Sequence, residues 1–296
     1  MTVPQIMQYG LSGITVGSVY AIVAVGFNII YNTTGIINFA QGEFVVAGAM
    51  IAITLDAFVS LPLAILAAVA ITCVLGGLVE RVFIRPVQDG SVLRMVVITI
   101  GVSIVIREAM LLIWDEKVRS MPYFTGTSVS TVQLLGAHIS PQVLWVLGTS
   151  GLIVLGLYLF FQYTLTGRAM RACADDRMAA RLCGINDRRM VTLSFVLSAG
   201  IGALAGCVVS PVTQTQYDMG TALAIKGFTV AILGGMGNSM AAVAAGLLLG
   251  LLESFVVSVL PMAFKEVVSI VVLLLVLVLR PAGLFARKEV AALRSS

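Results

Sequence analysis

MVTLSFVLSAGIGALAGCVVSP, residues 190–211, carries no charged side chain and is as long as a helix that crosses a lipid bilayer. Such a helix needs about 20 predominantly apolar residues. Other stretches of the chain have the same character, and we predict that each of them crosses a membrane. The predicted spans are Gln8–Tyr31, Ile36–Leu55, Leu61–Arg81, Leu93–Trp114, Pro141–Tyr163, Met190–Pro211, Met240–Leu260 and Lys265–Leu279.

The composition of the whole chain agrees with this interpretation. Of its 296 residues, 59% are hydrophobic and 11% are charged, and the mean hydropathy is +1.05. Soluble domains are about 45–50% apolar and about 25% charged. A soluble fold leaves roughly 25–40% of its unfolded surface exposed, so it could not hide this much apolar area. Soluble enzymes, nucleic-acid-binding proteins and disordered chains are therefore excluded, and the net charge of +4 is assigned to cytoplasmic loops.

A ninth apolar stretch, Leu223–Met236, is shorter and leads into the glycine-rich GGMGN of residues 234–238. It is either a short, tilted crossing or a re-entrant half-helix. The arginines of Thr164–Arg189, those near Pro86 and the basic tail after Leu279 place these segments in the cytoplasm by the positive-inside rule. Pro211 then lies outside and Arg280 inside, which requires the ninth stretch to cross.

The predicted fold is therefore an all-α, polytopic integral membrane helical bundle with about 8–10 transmembrane helices, forming one domain over residues 1–296. Nine crossings put the N-terminus outside. If Gln8–Tyr31 is broken into two segments, ten crossings put it inside. Close glycine pairs such as Gly13/Gly17, Gly202/Gly206 and Gly246/Gly250 indicate helix packing at short distance, and no internal repeat has a fixed period.

A few polar residues fall inside the apolar spans, where lipid would not tolerate them. We expect them to face the bundle interior or a wet cavity, either as walls of a translocation path or as braces between helices. For Asn238, which ends the glycine-rich GGMGN stretch, the alternative is a structural role in a turn between two crossings. Arg107, Glu108 and Lys226 are interpreted as anchors that snorkel or as an ion pair. The candidate translocation residues are Asn38, Gln41, Glu43, Asn238 and Glu253.

The arginine-rich loop of residues 164–189 has strong helix-forming content and a glycine where a helix should end, so we predict one short helix that ends at Gly184. Arg171 and Asp175 are spaced to form a surface pair. Ala179 and Ala180 form a smooth patch framed by arginines, with an apolar edge at Leu182 and Ile185. This surface suits docking of a cytoplasmic partner; contact with lipid headgroups is the alternative. The candidate docking residues are Arg168, Arg171, Asp175, Asp176, Arg177, Ala179, Ala180, Arg181 and Gly184.

Several motifs resemble the branched-chain amino acid (LIV-type) ABC transporter permease family, and they occur in the family's order over nearly the whole length. The segment Met178–Gly184 is also similar to the coupling loop of ABC-importer permeases, with Met178 where that pattern has Glu. Many members have His at the position of Gln41. The matching motifs are GIINFAQGE at 35–43, GRAMRA at 167–172, GGMGN at 234–238 and RPAGLF at 280–285.

The resemblance implies a multi-pass permease subunit of the inner, cytoplasmic membrane rather than a complete machine. It implies a second homologous permease subunit, two cytoplasmic ATPase subunits and a periplasmic substrate-binding protein as partners, with Arg168–Gly184 as the ATPase contact. The chain contains no phosphate-binding loop or catalytic constellation. We therefore expect no bound cofactor or metal, no enzyme activity in this chain, and ATP only on the partner subunits.

The implied substrates are branched-chain or other hydrophobic amino acids, moved inward. Urea, amides or other small polar solutes are the alternative within the same family. An ion-coupled secondary transporter would also use ionisable groups and broken helices at mid-membrane, and a channel would require a polar lining. The arginine-rich loop separates these hypotheses, because a secondary transporter does not need it.

Overall fold

The computed structural model describes residues 3–87, 91–127, 130–134, 137–262, 264–280 and 283–285. Over this part of the chain nine helices are apolar and two short ones are rich in arginine. The helices are α1 (Val3–Thr34), α2 (Gln41–Asp56), α3 (Leu61–Val79), α4 (Val92–Trp114), α5 (Pro141–Tyr163), α6 (Leu165–Asp175), α7 (Arg177–Leu182), α8 (Asp187–Thr213), α9 (Met219–Gly234), α10 (Ser239–Val257) and α11 (Phe264–Leu279).

The all-α membrane bundle is confirmed. Within the described ranges, six helices are long and apolar enough to cross a membrane by themselves, and α2, α9 and α11 are shorter. The helix α3 continues through one π turn, Glu80–Ile84, and one 3-10 turn, Arg85–Val87. A small antiparallel hairpin between α4 and α5, formed by β1 (Val132–Leu134) and β2 (Ala137–Ile139), was not expected.

The first helix decides between the two predicted topologies. It is unbroken from Val3 to Thr34, so the ten-crossing alternative is wrong. The passes then alternate from helix to helix, and we call the end of the bundle that carries α6 and α7 the inner end. The basic tail residues Arg287, Lys288 and Arg294, and Pro281 and Ala282 of the RPAGLF motif, lie outside the described residues.

The helices α1, α2 and α8 form the centre of the bundle, and α3, α4 and α5 lie around them. The first ten residues of α2, from Gln41 to Met50, are all buried. The outer helices expose large apolar side chains such as Leu66, Leu112 and Leu152. Because lipid is as apolar as these side chains, their exposure to the bilayer has no cost.

The helix α2 is shorter than the predicted span Ile36–Leu55, and this is a correction. After Gly35, which has a φ of +71°, residues 35–40 fold back into the bundle without forming a helix. The Phe39 N–H donates to Thr99 Oγ1 of α4 at 3.3 Å, and Gln41 already contacts Ser198 near the middle of α8. The helix α2 therefore begins near mid-membrane.

The predicted ninth stretch, Leu223–Met236, lies mostly within a second half-length helix, α9, which is entered from the outer side of the bundle. Thr215 pairs with Arg119 in the outer loop, and the chain then runs inward to the start of α9 at Met219. There Gly220 lies against Gly42, so close that a Cβ added at Gly42 would collide with the Gly220 carbonyl oxygen. The half-length helices α2 and α9 thus meet N-terminus to N-terminus in the middle of the bundle.

The helix order shows an inverted repeat that the sequence did not reveal. The series α1–α4 consists of a long helix, a half-length helix and two further helices, and α8–α11 has the same order in the opposite direction. The packing partners correspond as well, since α1 packs on α10 as α8 packs on α3. The predicted glycine pairs serve these contacts: Gly13 and Gly17 face Gly246 and Gly250. Repeats of this kind are common in membrane transporters.

The contact between α2 and α9 can be tested by adding one methyl group. We expect Gly42→Ala to destabilise the protein by about 1–3 kcal/mol, because the new Cβ would press on backbone that cannot move aside. The matched control is Gly101→Ala, where nothing lies within 4 Å of the new Cβ. Thermal unfolding of the purified protein in detergent measures both. A Gly42→Ala protein as stable as the control would contradict the close approach.

Candidate functional site

Glu43 lies in the first turn of α2 and is completely buried. Its Oε1 accepts hydrogen bonds from the hydroxyls of Ser103 at 3.0 Å and Thr221 at 3.4 Å, while its Oε2 has no hydrogen-bond partner and lies against Gly220. The carboxyl group is therefore placed between the N-termini of α2 and α9. Helix N-termini carry partial positive charge, which favours an anion at this position.

Gln41 and Asn38 lie beside Glu43 but are turned into the bundle. Gln41 Nε2 donates to the Ser198 carbonyl at 3.2 Å, and the Ser198 hydroxyl donates to Gln41 Oε1 at 2.5 Å. Asn38 Oδ1 accepts from the Ala40 N–H at 3.2 Å, which holds the turn before α2. These contacts fix where the half-length helix begins, and the buried Asn38 Nδ2 has no hydrogen-bond partner.

Asn238 lies at the inner end, far from Glu43 in the fold. Its Oδ1 accepts from the Ala241 N–H at 3.1 Å and so caps α10. The preceding Gly237 is held by the Asn28 and Asn32 side chains of α1, at 3.1 and 3.0 Å. This loop borders a cavity of about 960 Å³ between α1, α5, α6, α9 and α10, which Arg171 and Asp175 also line.

Glu253 belongs to a buried ion-pair cluster that the sequence did not predict. Lys226 Nζ lies 2.6 Å from Glu253 Oε1 and 2.7 Å from Ser269 Oγ, and Tyr20 donates its hydroxyl to Glu253 Oε2 at 3.0 Å. Lys265 and Glu266 of α11 complete the cluster. Of the two interpretations of Lys226, the snorkelling anchor is wrong and the ion pair is confirmed: its side chain is buried and joins α9 to α10 and α11.

Breaking this cluster on one side should be costly. We expect Lys226→Met to destabilise the protein by about 3–5 kcal/mol, because Glu253 would keep a buried charge without its main partner. Lys226→Met combined with Glu253→Leu should recover much of the loss, since both fully buried charges are then removed and the remaining Lys265 and Glu266 are partly exposed. Thermal unfolding in detergent measures both, with Lys117→Met in the exposed outer loop as control. A single variant as stable as the native protein would refute this role.

The arginine-rich loop forms two helices rather than the predicted single one. The chain turns at Asp176, whose Oδ1 accepts from the N–H groups of Met178 and Ala179 at 2.7 and 3.0 Å and caps α7. Gly184 follows the end of α7 with a φ of +81°, and the Ile185 N–H closes the turn on the Ala180 carbonyl. The predicted helix end at Gly184 is confirmed.

The arginines of this segment fasten it to the bundle. Arg177 donates to the Thr33 carbonyl at the end of α1, and Arg181 lies 2.5 Å from Asp187 at the start of α8. The predicted surface pair of Arg171 with Asp175 is not formed; Arg171 donates to Gln162 Oε1 at 3.2 Å instead. Arg168 donates to the Tyr163 carbonyl at 3.4 Å.

The exposed tip of this segment is apolar, but it differs from the predicted alanine patch. Ala179 is exposed, whereas Ala180 is buried against the bundle. Met178 and Leu182 are 74% and 85% exposed, and Leu182 belongs to the predicted apolar edge. Cys173 packs on the buried side of α6, and this burial raises the pKa of its thiol.

The structure thus separates the candidate translocation residues into three places. Asn38, Gln41 and Glu43 lie together at the start of α2, Asn238 lies at the inner cavity beside the α6–α7 segment, and Glu253 lies in the ion-pair cluster. Sequence analysis missed the hydroxyl partners, because serine and threonine inside apolar helices usually bond to their own backbone. The hydroxyls that instead meet these side chains are those of Ser103, Ser198, Thr221 and Ser269.

Comparison with known proteins agrees with this architecture. The family described as "Branched-chain amino acid transport system / permease component" matches residues 9–277. The chain is 38% identical to the high-affinity branched-chain amino acid transport system permease protein BraD of Pseudomonas aeruginosa, with 96% of this chain and 97% of the relative covered. It is 33% identical to the corresponding permease protein LivH of Escherichia coli K12, with 96% of each covered.

A more distant relative is the ribose import permease protein RbsC of Escherichia coli K12, at 24% identity over 80% of this chain and 74% of the relative. No solved structure gives a significant match to the chain. The family match and the two relatives above 30% identity extend over almost the entire sequence. The chain is therefore a multi-pass membrane protein that belongs to the family of branched-chain amino acid transport system permease components.

Proposed function

We propose that this chain is one permease subunit of an ATP-binding-cassette importer in the inner, cytoplasmic membrane, and that residues 1–296 form its single permease domain. A second homologous permease subunit, two cytoplasmic ATPase subunits and an extracytoplasmic substrate-binding protein complete the transporter. ATP is bound and hydrolysed on the ATPase subunits, and this chain binds no cofactor. The observation that supports this best is the α6–α7 segment, an apolar tip on a rigid base at the inner end.

The tip suits a protein partner better than a lipid surface. Met178 and Leu182 project from α7, while the neighbouring arginines point back to the bundle and bond there. An exposed apolar pair beside a rigid helix start offers a small surface that a groove on a partner can cover. The proposed ATPase contact comprises Arg168, Arg171, Asp175, Asp176, Arg177, Ala179, Ala180, Arg181 and Gly184 together with these two apolar side chains.

The attachments of this segment provide a route by which a partner's movement would reach the middle of the membrane. Arg177 ties α7 to the end of α1, and Arg181 ties it to the start of α8. Both central helices contact Gln41, through Gly26 of α1 and Ser198 of α8. A displacement of α7 therefore acts on the start of α2, where Asn38, Gln41 and Glu43 are the candidate path residues; Asn238 and Glu253 are candidates on the second repeat.

The proposed substrates are branched-chain or other hydrophobic amino acids. Support comes from the relatives named for these substrates, which are more similar than the ribose permease. Urea, amides and other small polar solutes are the alternative within this proposal. An ion-coupled secondary transporter is less well supported, because it does not require the α6–α7 tip.

The proposed ATPase contact predicts that one charge at the tip uncouples the complex. We expect Met178→Asp or Leu182→Asp to lose the ATPase subunits during co-purification from membranes, because a carboxylate would prevent burial of the apolar tip. The control is Met262→Asp, since Met262 is also 74% exposed but lies between α10 and α11 at the outer end. ATPase subunits that remain bound to the Met178→Asp and Leu182→Asp proteins would refute the assignment.

The substrate proposal predicts uptake by the assembled transporter. In proteoliposomes with ATP inside and the cognate binding protein outside, we expect radiolabelled leucine, isoleucine or valine to accumulate, and labelled urea not to. Vesicles without internal ATP serve as the control. Accumulation of urea but not of the amino acids would identify the alternative substrates. Uptake of either solute that persists without ATP and follows an imposed ion gradient would indicate a secondary transporter.

A further inference from the structure

Two charged side chains are exposed on α4 at a depth where lipid would be expected. The helix α4 ends at Trp114 on the outer side, and Arg107 and Glu108 lie about two turns before that end. The two residues are therefore about 10 Å below the outer end of the helix. Their side chains are 30% and 53% exposed. An exposed charge at this depth is costly against lipid and is normally found facing a water-filled path or a protein partner.

Arg107 does not reach outward to the membrane surface. Side chains on a helix lean towards its N-terminus, which for α4 is the inner end. The Arg107 guanidinium accordingly meets the hydroxyl of Thr221 at the start of α9, at 3.5 Å, and that hydroxyl donates to Glu43 at 3.4 Å. Of the two interpretations of Arg107, the snorkelling anchor is wrong and the ion pair is confirmed, since its guanidinium lies 3.5 Å from the Glu108 carboxylate. Its contacts with Thr221 and Glu108 are both 3.5 Å long, so its donors are only weakly engaged.

The start of α9 adds a second polar element to this face. Asp218 occupies the N-cap position without forming a side-chain cap, and both Asp218 and Thr221 are exposed. Directly behind them lies the buried Glu43, whose Oε2 has no hydrogen-bond partner and points at Gly220. Irregular backbone at membrane depth persists only where protein covers it or water reaches it. This helix start is exposed in the single chain, so either water or the second permease subunit lies against it.

One turn further towards the inner end, the same face becomes apolar. Ile104 lies one turn before Glu108 on α4, and Ile225 lies one turn after Thr221 on α9. Both isoleucines are exposed. The face therefore combines one guanidinium, the carboxylates of Glu108 and Asp218, a helix start and a branched apolar floor. An α-amino acid with a branched side chain presents the complementary groups in the same compact order.

We propose that this face, formed by Arg107, Glu108, Thr221, Ile104 and Ile225, is a transit site for a zwitterionic amino acid. The substrate carboxylate binds the Arg107 guanidinium beside the start of α9, where the helix dipole also favours an anion. The ammonium group binds Glu108, and the side chain lies over the two isoleucines. The inference rests on the proposed function and specifies where in this chain the substrate is held.

The first test asks whether water reaches the site. In the assembled transporter in proteoliposomes, Glu108→Cys is treated with a membrane-impermeant, cationic methanethiosulfonate reagent, and Leu152→Cys is the control. Leu152 is 70% exposed at the middle of α5, on a face of apolar side chains. Thiols react as thiolates, which form in water and not in lipid, so we expect modification at 108 to be at least about tenfold faster. Equal rates, with neither above the unsubstituted protein, would overturn the proposal.

The second test asks whether the positive charge of Arg107 is needed for transport of the substrate. We expect Arg107→Gln to lower leucine uptake about tenfold, with the ATPase subunits still bound, because the substrate carboxylate loses a charge-assisted hydrogen bond. Arg107→Lys should retain part of the uptake, and Lys117→Gln in the exposed outer loop should leave it unchanged. Uptake by Arg107→Gln equal to that of Lys117→Gln would overturn the proposal, since the arginine would then only pair with a neighbouring subunit.

The two proposals fail in different ways. If the native complex assembles with its ATPases but does not transport leucine, the proposed substrate is wrong, and the uptake comparison is not interpreted. If the native complex transports leucine and position 108 stays unreactive, the proposed function stands and the transit site is wrong. If Arg107→Gln does not assemble, the labelling rate at 108 decides alone, because Glu108→Cys keeps the arginine in place.

Discussion

The meeting of two helix N-termini in the middle of the bundle is the constraint on which the architecture depends. A helix that begins inside a membrane leaves backbone N–H groups that lipid cannot satisfy. Before α2 the Phe39 N–H donates to Thr99 Oγ1 of α4 and the Ala40 N–H to Asn38 Oδ1, and the Gln41 N–H donates to the Asn38 carbonyl. Glycines at 42 and 220 let the two helix starts approach, and the carboxyl group of Glu43 lies between them. The surrounding long helices are needed to shield these groups, so the order of the whole bundle follows from this contact.

This constraint also connects the two regions of functional interest. Gln41 holds the start of α2 between α1 and α8, and the arginines of α7 hold the inner ends of the same two helices. The α6–α7 segment at the inner end is therefore connected, through α1 and α8, with the polar groups at mid-membrane. The inverted arrangement of α1–α4 and α8–α11 places the two half-length helices on opposite sides of that centre.

The amino-acid sequence predicts the existence of the spans well, because long apolar runs without charge have few other uses. The prediction from the sequence failed at residues 36–40. Ile36, Ile37 and Phe39 are as apolar as the residues of a membrane-spanning helix, but the backbone here is irregular and enclosed by the bundle. Hydropathy does not distinguish the two; Gly35 before the run and Gly42 after it were the available signals. The partner of Lys226 could not be predicted either, since Glu253 lies on the next helix and pairing depends on packing.

Lys226 also has a consequence for how the protein enters the membrane during synthesis. The helix α9 is only 16 residues long, and a lysine near its centre opposes insertion into lipid by about 2.5–3.5 kcal/mol on translocon scales. Its compensating carboxylate arrives only when α10 has been made. The nascent α9 must therefore wait beside the translocon, or beside helices already inserted, until the following segment emerges and the pair can partition together.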